Sequence, residues 1–133
     1  MPNEDLMPNE IPNLWPTDLL ETQVKTPRAI LKKQANDLAS ASRAILRGEV
    51  VTETNSGRFV HSFMIVAPVL DYRYKLCEVD HGIDLYPCQG YFRDYRTGTT
   101  IKSEEELITW LRDVFQDPDT HKALASLIAQ SKA

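Results

Sequence analysis

Apolar and polar positions divide the chain into regimes with different periods. Between residues 26 and 47 the period is helical: Leu31, Leu38 and Ile45 stand seven apart, and Ile30, Ala35, Ala41 and Leu46 widen the stripe. Lys32, Lys33, Arg43 and Arg47 fall largely off that stripe. Thr26 followed by Pro27 offers a capping hydroxyl and a first-turn residue with fixed φ, so an amphipathic helix with a basic outer side is expected over 27–47. Its second half is rich in small residues, Ala39, Ser40, Ala41, Ser42 and Ala44, which let another backbone approach closely.

From residue 49 to about 101 the period shortens to two, in short runs separated by turn residues. Runs 50–54 and 59–67 flank Asn55-Ser56-Gly57, read as a three-residue hairpin loop with Gly57 in the left-handed position. Phe59, Phe63, Ile65 and Ala67 fall on one face and Val60, Met64 and Val66 on the other, the mark of an interior strand covered on both faces. Over 70–79, Tyr72, Tyr74 and Leu76 alternate with Asp71, Arg73, Lys75 and Cys77, so one side should face solvent or a ligand. Asp80-His81-Gly82 reads as a turn toward 84–88, followed by a strand over 91–95 and a turn at Thr97-Gly98.

Helical spacing then returns. Ser103 with Glu106 forms a capping box ahead of a stripe of Leu107, Ile108, Leu111 and Phe115, and three successive acids sit where the helix dipole favours them. Asp117-Pro118 starts a further helix with Leu124, Leu127 and Ile128 facing inward. The order predicts an α+β fold: an antiparallel meander of four to five strands, with one N-terminal helix and two C-terminal helices packed on one face.

Residues 1–16 belong to none of these regimes. They hold Pro2, Pro8, Pro12 and Pro16, and Met1-Pro2-Asn3-Glu4 returns as Met7-Pro8-Asn9-Glu10. Such spacing excludes a helix and predicts an extended arm, mobile at least to Glu10, ahead of a single domain over 17–133. Ile11, Leu14 and Trp15 are the side chains of the arm large enough to dock. Trp15 either covers the edge of its own domain or belongs to an arm exchanged with a partner subunit.

A length of 133 residues suits one domain. The longest apolar run, 63–70, contains a proline and is far shorter than the roughly 20 residues needed to cross a bilayer. No basic segment leads into an apolar stretch at the start, so a cytoplasmic protein with reduced Cys77 and Cys88 is expected. The net charge of −4 offers no bulk attraction for nucleic acid or anionic membrane. Its distribution is uneven: residues 1–22 hold five acids and no base, residues 23–48 six bases and one acid, and residues 49–133 thirteen acids and nine bases.

Cys77, Glu78, Asp80, His81, Asp84 and Cys88, with His61 on a neighbouring strand, include every ligand type a transition metal uses. Only Cys77 and His81 are spaced as a ligand pair, so neither a metal nor another cofactor is expected. Cys88, with His81 or His61 as base and Asp80 as the orienting acid, is the candidate set for nucleophilic catalysis. Otherwise His61 reads as a satisfied sheet histidine and His121 as a surface residue. Gly48, Gly57, Gly82, Gly90 and Gly98 never cluster into a phosphate-binding loop, and neither Gly-x-Ser-x-Gly nor His-Glu-x-x-His occurs. Asp71, Lys75, Glu78 and Asp80 lack the tight acid-x-Lys unit of a metal-dependent nuclease.

Tyr91-Phe92-Arg93-Asp94-Tyr95-Arg96 and Tyr72-Arg73-Tyr74-Lys75 interleave aromatics with bases, as a single-strand nucleic-acid surface would. Strand alternation, however, sends Tyr72 and Tyr74 toward a core and Arg73 and Lys75 toward water. Nucleic acid is therefore possible but not favoured. The leading expectation is a non-enzymatic binding or regulatory protein acting through protein–protein contact as a homodimer, with Tyr72, Arg73, Lys75, Tyr91, Arg93 and Tyr95 as its binding residues. Single-strand nucleic-acid binding and a small enzyme built on Cys88 and His81 are the alternatives.

Overall fold

Thr26 caps the first helix as its sequence requires, accepting the Ala29 N–H at 3.0 Å with Pro27 in the first turn. The computed structural model describes residues 10–21 and 23–133. Residues 1–9 of the expected arm, with the repeat that begins there, lie outside the described residues. The elements are α1 (Pro27–Ala41), β1 (Arg47–Asn55), β2 (Arg58–Ala67), β3 (Tyr72–His81), β4 (Cys88–Phe92), β5 (Asp94–Ile101), α2 (Glu104–Phe115) and α3 (Pro118–Lys132). The sheet is an antiparallel meander in the order β1-β2-β3-β4-β5, and the fold is α+β with an N-terminal helix and two C-terminal ones.

α1 stops at Ala41, about six residues short of the expected end. Arg43 and Ala44 take left-handed backbone, with φ of 52° and 65°. The Ser42 hydroxyl lies 2.9 Å from the Leu38 carbonyl and accepts the Leu46 N–H at 3.0 Å, so it takes over the bonds of the next turn. Leu46 continued the apolar stripe in sequence because it is fully buried, although it no longer belongs to the helix.

The β1–β2 hairpin is tighter than expected. Asn55 pairs with Arg58, leaving a two-residue turn of Ser56 and Gly57, both at positive φ. β3 runs on through Asp80 and His81, which are strand residues rather than a turn. Between β2 and β3, Phe63 pairs with Cys77 and Met64 with Lys75, so Leu76 is an extra residue. That bulge resets the alternation and places Cys77 on the core face with Phe63, where strict alternation would group it with Arg73 and Lys75. The next reversal falls at Arg93, with φ of 67°, and not at Thr97-Gly98, which lies inside β5. Gly98 serves packing there: a Cβ would stand 2.8 Å from the Tyr91 ring.

Phe63, Ile65, Val79, Cys88 and Ile101 of the sheet meet Leu31, Ala35, Leu107, Leu111 and Leu127 of the helices in one core. α1 lies so close to β1 that a Cβ on Gly48 would stand 2.6 Å from the Ala35 Cα. In α2, Ser103 caps the Glu106 N–H at 3.1 Å and the Glu106 carboxylate accepts the Lys102 N–H at 2.9 Å. The buried face of α2 is Leu107, Leu111 and Val114, whereas Ile108, expected in the stripe, is 43% exposed. Asp117 caps α3 as expected, and Leu127 is buried with Leu124 and Ile128 packed partly against the core. Among the described residues no helix is long and apolar enough to cross a membrane.

Candidate functional site

Strand register brings together two histidines twenty residues apart. His61 on β2 and His81 on β3 are both buried, and their Nε2 atoms lie 2.8 Å apart. Thr52 Oγ1 on β1 lies 2.9 Å from His61 Nδ1, and the Gly82 carbonyl lies 2.7 Å from His81 Nδ1. A carbonyl only accepts, so with both rings neutral the His81 proton sits on Nδ1, and the rest of the chain follows. His61 Nε2–H donates to His81 Nε2, and the Thr52 hydroxyl donates to His61 Nδ1. Burial pushes His61 down to about 4, with His81 and Arg28 adding to the shift and Asp80 opposing it. Phe59 stacks on His81, with centroids 5.5 Å apart.

This arrangement occupies both nitrogens of His81. Asp80, its neighbour in the strand, takes the opposite face and accepts from Arg58 at 2.6 Å. Cys88 is fully buried, and burial raises its thiol to about 11; Cys77 is raised by the same cause to about 12. Burial thus holds both thiols in the form that is a poor nucleophile. Among the described residues no three His, Cys, Asp or Glu side chains are placed to hold a metal.

The six expected binding residues are divided between locations. Arg73, Lys75 and Tyr91 lie on the sheet face away from the helices, where Arg73 meets Glu49 at 2.6 Å and Lys75 meets Glu78 at 2.8 Å. Tyr95 stacks on Tyr91 with centroids 6.2 Å apart, and the Lys75 ammonium lies 4.8 Å from the Tyr95 ring centre. Tyr72 pairs with Ala67 on the helix side of the sheet, and Arg93 reaches α3 to meet Asp119 at 2.6 Å and Asp117 at 3.3 Å.

Two features were not singled out by sequence reasoning. A cleft of about 190 Å³ lies between α1 and α3, floored by Phe63, Ile65 and Leu76 and closed by Leu38, Phe115 and Leu124. Thr120 lines it, 2% exposed, and its hydroxyl has no hydrogen-bond partner. The second feature is the extent of apolar exposure along residues 10–21: Leu19 and Leu20 are exposed in addition to Ile11, Leu14 and Trp15. Polar bonds within the segment shape it: the Trp15 N–H donates to Asn13 Oδ1 and the Glu21 N–H donates to the Asp18 carbonyl. The chain enters the domain where Tyr86 OH donates to the Lys25 carbonyl at 3.1 Å. No protein-family model, curated protein or solved structure matches the chain.

Proposed function

We propose that this chain is a non-enzymatic cytoplasmic binding or regulatory protein that works through protein–protein contact as a homodimer, with residues 10–21 as its contact segment. One observation carries the reading: Ile11 at 86%, Leu14 at 82%, Trp15 at 73% and Leu20 at 96% are exposed together on one short stretch. Isolated exposed apolar residues are ordinary, but a contiguous set that includes a tryptophan is the composition of an interface core. The raised thiols and the fully bonded His81 lend no support to catalysis by Cys88. Nucleic-acid binding has less support as well, because Arg73, Lys75 and Arg93 are each paired with a carboxylate.

Light scattering on the full chain over a concentration series tests the reading. A dimer mass is expected, shifting to the monomer when Leu14 and Trp15 are both replaced by alanine. A monomer mass at every concentration would refute it.

A further inference from the structure

β1 stands at the edge of the sheet, with β2 as its one neighbour among the described strands. It pairs with β2 from Arg47 to Asn55 without a register shift, and it holds no proline. The free N–H and C=O groups of an edge template further pairing, so natural edges are blunted by a bulge, a proline, a cover or charge. Here α1 gives little cover. It crosses β1 at Gly48, beneath Ala35, while the chain entering it is bonded to Tyr86 just ahead of β4, so the helix runs obliquely away from the edge. Val50 and Thr52, on the helix side of β1, remain only half-buried.

Charge is the remaining device, and it matches itself. Arg47 and Glu53 lie on the sheet face away from the helices, with Glu49 between them. Glu49 is held by Arg73 at 2.6 Å as well as by Arg47 at 3.1 Å, and Glu53 has no cationic partner among the described residues. Hydrogen-bond phase limits how two such edges can meet. The turn at Ser56-Gly57 closes on Asn55 and Arg58, a hydrogen-bonded pair, so counting back by twos leaves Thr54, Thr52, Val50 and Gly48 with their backbone groups pointing outward. An antiparallel partner must set these even-numbered residues against even-numbered ones. A register centred on Val51 then opposes Glu49 to Glu53, and one centred on Glu49 opposes Glu49 to itself. Among registers that pair more than half of β1, only the one centred on Val50 opposes unlike charges, Arg47 to Glu53 on both sides of the axis.

We infer that β1 pairs antiparallel with β1 of a second copy, in the register centred on Val50, so that one sheet runs through the dimer. The inference rests on the homodimer reading above and adds a contact to it. The self-complementary register is what selects a second copy over another extended peptide.

The dimer dissociation constant, measured by sedimentation velocity on the full chain, tests this. Arg47→Glu should weaken the dimer by about thirtyfold and Glu53→Arg by as much, because each sets like charges opposite and the twofold axis doubles the effect. The double reversal, Arg47→Glu with Glu53→Arg, should restore the wild-type constant. Within one chain the two side chains stand about 20 Å apart along the strand, so the rescue arises only between copies. Both are exposed, and circular-dichroism melts check that each variant folds. Amide exchange gives a second readout: the outward N–H groups of Val50 and Thr52 should exchange at least about tenfold more slowly in the dimer than in the diluted monomer. A dimer that neither single reversal weakens, that the double reversal fails to restore, or whose Val50 and Thr52 amides are unprotected would overturn the strand pairing and leave the homodimer standing. A monomer at every concentration would overturn both.

Discussion

His61 and His81 face each other across neighbouring strands with their Nε2 atoms 2.8 Å apart, and a single proton lies between them. A proton added to His61 would sit on Nδ1 and turn the bond to the Thr52 hydroxyl around, and it would place a positive charge in a buried site beside Arg28, with Asp80 as the compensating charge.

Acid should therefore destabilise the fold through this site. His61 is held neutral when folded, with its pKa at about 4, whereas the unfolded chain takes up the proton near 6.5. Its contribution is complete above pH 6.5 and is lost as pH falls toward 4, by about 3 kcal/mol in all. Urea denaturation at stepped pH should show this slope, and His61→Gln should flatten it. A wild-type profile flat between pH 6.5 and 4 would sink the prediction.

Gly48→Ala should loosen the contact between α1 and β1. The added methyl would meet the Ala35 backbone at 2.6 Å, and backbone does not yield as the end of a flexible side chain does. A cost of about 1–3 kcal/mol is expected in denaturant unfolding. Ala35→Gly in the same chain should recover none of it, because the Ala35 Cα remains; full recovery would show that the side-chain methyl alone was in the way.

Cys77 and Cys88 should resist a thiol reagent such as DTNB at pH 8 until the domain opens. Both are buried, and both thiols are raised, to about 12 and about 11. Labelling should run at least roughly a hundredfold slower than in urea, at the rate set by opening. Rapid labelling of Cys88 in the native protein would instead reopen the case for a reactive thiol.

Arg93→Glu should destabilise modestly, by about 1 kcal/mol, since it sets a carboxylate facing Asp117 and Asp119 across the cap of α3. Added salt should narrow the difference from wild type. Equal stability of the two proteins at low salt would mean that these ion pairs contribute nothing.

Local signals were the ones the sequence displayed plainly. Thr26-Pro27, Ser103 with Glu106, and Asp117-Pro118 each act within four residues, and each starts the helix it predicts. What misled was apolar residues whose burial has another cause. Leu46 extends a helical stripe because it is buried, yet Ser42 and two left-handed residues have already ended the helix. Cys77 changes face because of a bulge that depends on β2, far away in sequence. The histidine pair needed the same knowledge, since His61 and His81 meet only once the β2–β3 register is set. Thr120 gave no signal, because a threonine in a first helical turn is ordinary until its surroundings are known.

The strictly sequential order of the sheet has a kinetic consequence. Every strand pairs with the one made just before it, so hairpins can close in turn without waiting for distant chain, as low-contact-order folds do. The lid over the core comes last. α1 covers the β1 end of the sheet, but Phe63 meets Phe115 and Ile101 meets the core only when α2 and α3 have docked. During synthesis all five strands leave the ribosome before α2 and α3, so the part of the apolar sheet face that these helices cover has no cover until they follow. The two closing helices therefore govern how long the nascent protein is prone to stick to others.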